Sequence, residues 1–154
     1  MSFYALWKKI FLVVFLQLVV GESEMIENLE TEIIEFMLNS MPVEISFIDE
    51  NDNVSYFNKN GDRIFPRPRS VVGKKVHQCH PKKSLNKVIE IIESFKDGKR
   101  DVANFWINLN GRLIYIRYFA VRDNNKKYLG TLEVSQDITD IKKIEGEKRL
   151  LDWK

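Results

Sequence analysis

Residues 111–139 read GRLIYIRYFAVRDNNKKYLGTLEVSQDIT. Two apolar, aromatic and β-branched runs, Leu113–Val121 and Tyr128–Ser135, flank the polar stretch Arg122-Asp123-Asn124-Asn125-Lys126-Lys127. Two runs of this kind, joined by turn formers, predict an antiparallel hairpin. The second run ends in Asp137-Ile138-Thr139, beyond which the pattern turns helical. A sheet wired to an outgoing helix suits transmission of a signal better than chemistry.

Working back from this stretch, Asn110-Gly111 is a two-residue hairpin signal that joins Leu113–Val121 to a strand over Asp101–Leu109, which carries Trp106. His80-Pro81 opens a helix, with His80 as N-cap and proline in the first helical position. Leu85, Val88, Ile89, Ile92 and Phe95 form its apolar face, and Gly98 is placed to stop it. Lys59 to Val76 is punctuated by Gly61, Pro66, Pro68 and Gly73, which predicts short turns and loops. Glu44–Asp49 and Val54–Asn58 read as short strands around the turn cluster Glu50-Asn51-Asp52-Asn53. Glu22–Asn39 reads as an amphipathic helix with Ile26, Leu29, Ile33, Phe36 and Met37 on one face, ended by Met41-Pro42. Packing of that face on the core is favoured over pairing with a second copy. The sum is an α+β layout: a five-stranded antiparallel sheet with helices on one side, flanked by N- and C-terminal helices.

The bulk numbers agree with a single globular domain. The chain has 154 residues, 44% hydrophobic and 30% charged, enough to bury a core. A net charge of +2 does not by itself imply nucleic-acid binding, and none is expected. The single cysteine, Cys79, excludes an intrachain disulfide and a cysteine-rich zinc site. Two histidines, His77 and His80, are too few for a hemerythrin-like di-iron centre.

The ordered set of motifs carries a resemblance. PVEISFIDENDNVSYFNKNGDRIFPR, VHQCHPKKS, GRLIYIRYFAVRD and LGTLEVSQDITDIKKIEGEKRLLDW together resemble a PAS domain. They resemble in particular the PAS domains that accompany DUF438 and hemerythrin-like domains in bacterial and archaeal proteins. The resemblance spans roughly residues 27–153. It implies residues 25–139 as the PAS domain and 140–154 as a C-terminal signalling helix. It also implies a ligand cavity walled on one side by the Lys59–Val76 region. In PAS domains the Asp and Thr of the Asp-Ile-Thr motif tie the strand end to the helix start. Asp137 and Thr139 match those positions as signal-relay residues.

Residues 1–24 stand apart. Lys8-Lys9 precede an apolar run, Ile10–Val20, which is short for a membrane span and has the outline of a signal peptide. The favoured reading is an extension outside the domain, with Met25 as a candidate start. The resemblance to a cytoplasmic sensor favours that reading and a cytoplasmic location; a membrane-anchored or exported chain is the alternative if the segment is genuine.

Val76-His77-Gln78-Cys79-His80-Pro81 is the one cluster of metal-capable side chains. Cys79 is expected just before a helix N-terminus, which favours thiolate. Haem is the candidate cofactor, with His80 as candidate iron ligand and Cys79 beside it. A helix cap and a small buried thiol are the plainer readings. Arg117, flanked by aromatics, is a candidate to stack on a planar ligand or clamp a carboxylate; pairing with a cross-strand acid such as Glu133 is equally open. Trp106 is the fourth candidate cofactor contact. Nine Lys or Arg and one acid, Asp62, lie between Lys59 and Lys87. Only Phe65 is interleaved with them, so a solvated basic surface is favoured over a nucleic-acid face. Ile141, Ile144 and Leu151 fit a short heptad seam in an exit helix over Ile138–Lys154, interrupted by Gly146.

No phosphate loop, GxSxG, HExxH or kinase signature is present, so no enzyme is expected. Three functions remain, in order. The first is a PAS sensor that binds a small ligand or haem and relays its state to a C-terminal helix, a homodimer partner or a separate output protein. The second is a ligand-free dimerisation module, and the third is a haem or redox enzyme.

Overall fold

The two runs of the quoted stretch form the longest strands in the computed structural model, which describes residues 26, 28–58 and 63–150. In chain order the elements are α1 (Thr31–Ser40), β1 (Glu44–Asp49), β2 (Val54–Phe57), a 3-10 turn (Arg69–Val71), α2 (Val76–Cys79), α3 (Lys82–Lys96), β3 (Val102–Leu109), β4 (Arg112–Arg122), β5 (Tyr128–Asp137) and a second 3-10 turn (Ile141–Lys143). The chain divides into two units between Met37 and Leu38. Residues 1–25, and with them the extension and the start of the expected first helix, lie outside the described residues. Among the described residues no helix is long and apolar enough to cross a membrane.

The strands form one antiparallel sheet in the order β2-β1-β5-β4-β3. β5, last in sequence, is central. Asn110 and Gly111 take φ +48° and +80°, the pair of left-handed residues a type I′ turn requires, so the β3–β4 hairpin forms where Asn-Gly predicts it. The β4–β5 loop is held by Asp123, whose Oδ1 accepts from Asn125 N at 2.9 Å and Lys127 N at 2.8 Å.

α3 covers one face, here the inner one. Ile48, Ile114, Ile116 and Tyr118 from the sheet enclose Val88, Ile92 and Phe95 from the helix. Ile91 completes the helical stripe, while the expected Ile89 is 37% exposed. Positions 88, 91, 92 and 95 follow the i, i+3, i+4, i+7 rule, and position 89 falls off it. α3 closes as predicted at Gly98, φ +68°. Gly98 N donates to Phe95 O at 3.1 Å and Lys99 N to Ser94 O at 3.0 Å, a Schellman closure.

Three boundaries differ from expectation. Within the described residues the expected first helix is broken before Thr31, where α1 begins, because Leu29 N closes a turn onto Ile26 O at 2.9 Å. The helix expected from His80-Pro81 begins one residue later: Pro81 is the N-cap, and His80 is the extended residue that ends α2. Proline pushes its predecessor out of helical geometry, so α2 and α3 cannot fuse. The expected exit helix over Ile138–Lys154 is only a 3-10 turn within the described residues. Ile144 is extended with ψ 126°, and Gly146 has φ +66°, which together deflect the helical path.

Candidate functional site

Strand alternation decides which side chains meet. Buried Ile114, Ile116 and Tyr118 alternate along β4, so Leu113, Tyr115, Arg117 and Phe119 face the other way. Glu133 is registered opposite Tyr118, and Arg117 opposite Val134. Arg117 and Glu133 therefore lie on opposite faces, which removes the cross-strand pair. Thr131, Glu133 and Ser135 from β5, with Glu44, Ser46 and Ile48 from β1, complete the inner face.

This inner face is charged at its centre. Segment 63–68 crosses it and delivers two arginines. Arg63 Nη2 lies 3.5 Å from Glu44 Oε2, their side chains 3% and 5% exposed, and donates to Ser46 Oγ at 3.2 Å. Its Nε donates to Phe65 O at 3.3 Å and its Nη1 to Asn58 O at 2.5 Å. Glu44 also accepts from Ile64 N and Phe65 N. Arg67 Nη2 donates to Glu133 Oε2 at 2.8 Å, while Arg67 Nε is buried with no partner among the described residues. Burial, with Glu133 beside it, drives the Tyr118 phenol far above its ordinary range. Asn58 anchors the rim: Ile45 N donates to its Oδ1 at 2.7 Å, and its Nδ2 donates to Leu38 O at 2.8 Å and Val43 O at 3.0 Å.

Of the four expected cofactor contacts, His80 is the one that feels this site. His80 is half-buried and senses the charges of Glu133 and Arg67; burial holds its pKa below 6.5. Its Nδ1 bonds locally, 3.3 Å from Pro81 O and 3.4 Å from Ser84 Oγ. Cys79 packs against Val54, Phe57 and Val71. It ends α2, two residues before the Pro81 N-cap of α3, and its thiol donates to the carbonyls of Lys75 at 3.4 Å and Val76 at 3.7 Å. Arg117 and Trp106 lie on the outer face, so the four residues do not line one cavity. Arg117 lies 5.1 Å from the Tyr115 ring centroid and 5.9 Å from that of Phe119, and its Nε is buried without a partner among the described residues. Trp106 is 68% exposed.

These placements do not fit haem. The Cys79 thiol is turned to its own helix, and Arg117 and Trp106 lie on the outer face, so the four expected contacts do not converge on one porphyrin. Among the described residues no group of three or more His, Cys, Asp and Glu could hold a metal ion.

At the end of β5, Asp137 Oδ1 accepts from Thr139 Oγ1 at 2.6 Å and from Thr139 N at 2.9 Å. Leu113 N, at the start of β4, donates to Thr139 Oγ1 at 2.8 Å, and Ile138 N donates to Leu113 O at 2.9 Å. These bonds, with Arg112 nearby, hold the Asp137 carboxyl below its ordinary range. The pair fixes the direction in which the chain leaves the sheet.

Arg63 and Glu44 are not among the site residues the sequence singles out, and of the two readings it leaves open for Arg117, the pairing with Glu133 is the one the register removes. Glu44 shares the parity of Ile48, and Glu133 that of Thr131 and Ser135, so alternation was the available signal. The pairing of Arg67 with Glu133 spans 66 residues and has no local signature.

A family model described as PAS domain matches residues 34–139. No curated protein matches the chain. Among solved structures, a C-terminal domain from Streptococcus mutans is 35% identical, covering 76% of this chain and 91% of that one, with TM-score 0.71. The PAS domain of a protein from Colwellia psychrerythraea is 14% identical over 71% of this chain and 97% of its own, with TM-score 0.53. A sensory box sensor histidine kinase from Vibrio cholerae is 9% identical over 70% of this chain and 91% of its own, with TM-score 0.52. The strand order, the helix on one face and a family match over most of the sequence agree: the chain belongs to the PAS domain family.

Proposed function

We propose that the chain is a ligand-sensing PAS module. A small molecule binds on the inner face beside Arg67 and Glu133, and its presence is relayed along β5 to Asp137, Thr139 and the segment beyond. The observation that carries this is the largely buried Arg67–Glu133 pair, whose Arg67 Nε has no partner among the described residues. A module that only packs and pairs would be more stable with apolar residues there, since desolvating an ion pair costs several kcal/mol per ion. An unpaired buried donor costs a further 1–3 kcal/mol, roughly. Glu133 and Asp137 share β5, so a ligand that alters the Glu133 bond acts on the strand that holds the relay. A ligand with different contacts in two arrangements of that strand shifts the balance between them. Output passes to a partner or a second copy. The Cys79-His80-Pro81 triplet supports grouping with the PAS domains that accompany DUF438.

Hydrogen exchange at Leu113 N–H tests the relay. Compounds that raise the melting temperature are expected to change its exchange in the wild type but not in Thr139→Val, which removes the hydroxyl it bonds. Binding without any change at Leu113 refutes the relay. No binding at all, with a stable dimer, favours the second reading, an interaction module. The observation for that reading is exposed Trp106 and Val102 on the outer face.

A further inference from the structure

The two arginines on the inner face differ: the Arg63 side chain is 3% exposed and that of Arg67 13%. Arg63 has acceptors on every nitrogen: Phe65 O, Asn58 O, Ser46 Oγ and Glu44. Its ion pair is closed. Arg67 engages Glu133 through Nη2 alone, and its Nε–H points to nothing among the described residues. Glu133 has the matching opening. Oε2 is taken by Arg67, while Oε1 receives only the Ser135 hydroxyl at 3.4 Å, near the limit for such a bond. An unengaged donor and an under-used acceptor thus sit on the two halves of one ion pair.

Charge narrows what can join them. Two arginines and two glutamates cancel, so a further buried charge would stand uncompensated in a dry setting. Burial holds both titratable neighbours, His80 and Tyr118, toward their neutral forms. Ile116 and Tyr118, opposite Ser135 and Glu133 in the ladder, make the surroundings apolar.

Resting on the sensing reading above, we infer that the ligand is a small uncharged molecule carrying a hydrogen-bond acceptor and donor on adjacent atoms, as in a cyclic amide, the acceptor on Arg67 Nε and the donor toward Glu133. The rest of the molecule is apolar.

The test uses the full chain, 15N-labelled, and three probes of similar size: 2-pyridone, benzoate and toluene. The Arg67 Nε–H signal is assigned by its loss in Arg67→Lys, which keeps a cation for Glu133 and removes Nε. The expected result is a saturable shift of that signal by 2-pyridone, and binding about tenfold weaker in Arg67→Lys, as for one lost hydrogen bond. Should the variant not fold, the order of the three affinities for the wild type decides. Benzoate binding more tightly than 2-pyridone, or toluene binding as well as 2-pyridone, overturns the ligand class and leaves the sensing reading standing. No binding by any probe also overturns the class; the sensing reading is then judged separately by hydrogen exchange at Leu113.

Discussion

Replacing Arg63 by methionine is expected to lower stability by about 3–5 kcal/mol, because it leaves Glu44 charged and buried without its partner. Denaturant unfolding reads this directly, and a loss under 1 kcal/mol would mean that Glu44 is hydrated. His80 gives a prediction with a sign. Burial depresses its pKa in the fold, so the unfolded chain binds the proton more readily. Its contribution is fully present above about pH 6.5, the unfolded value, and is lost as pH falls through the folded pKa. Between pH 7 and 5.5 the wild type should lose stability that His80→Gln retains; parallel curves would exclude the effect. Little of this was legible in the sequence. His80 stood out because histidine is rare here, whereas Glu44 and Glu133 were two carboxylates among many. What makes them special is the face they share, set by strand register with residues far away in the chain.

At the scale of elements, β1 and β5 meet more closely than side chains allow. A Cβ on Gly130 would lie 2.3 Å from Ile48 O and 2.5 Å from the Phe47 ring. Gly130→Ala must therefore move β1 or break the Asp49↔Gly130 end of the ladder. A loss of about 2–4 kcal/mol is expected, in the range of overpacked cores with backbone shift, and a melting temperature within 2 °C of wild type, roughly, would show that the strand gives way without cost. Elements were the most legible level. Alternation and turn residues located all five strands, and Asn110-Gly111 marked the β3–β4 hairpin. The misses have local physical causes: Pro81 keeps α2 and α3 apart, and Gly146 deflects the exit segment, two effects that a periodicity count passes over.

For the whole molecule, the sheet order makes β5 the keystone. It pairs with β1 on one side and β4 on the other. A chain ending before Tyr128 would keep the β1–β2 and β3–β4 hairpins as separate pieces, and isolated hairpins are marginal in water. Such a truncation is expected to lose cooperative unfolding altogether; a sharp melting transition would contradict the central role of β5. The fold class was readable because five strands and one strong amphipathic helix admit few arrangements. The proposed ligand site was not, since it is assembled from β1, β5 and segment 63–68, which only the assembled sheet brings together.

The placement of β5 also has a consequence for biosynthesis. During translation the strand that unites the sheet is the last to leave the ribosome. Until it does, the earlier hairpins expose the edges they will later give to β5, and unpaired edges invite association with other chains. The nascent protein thus passes through its most vulnerable period immediately before completion of the domain, and crowded polysomes would be felt there first.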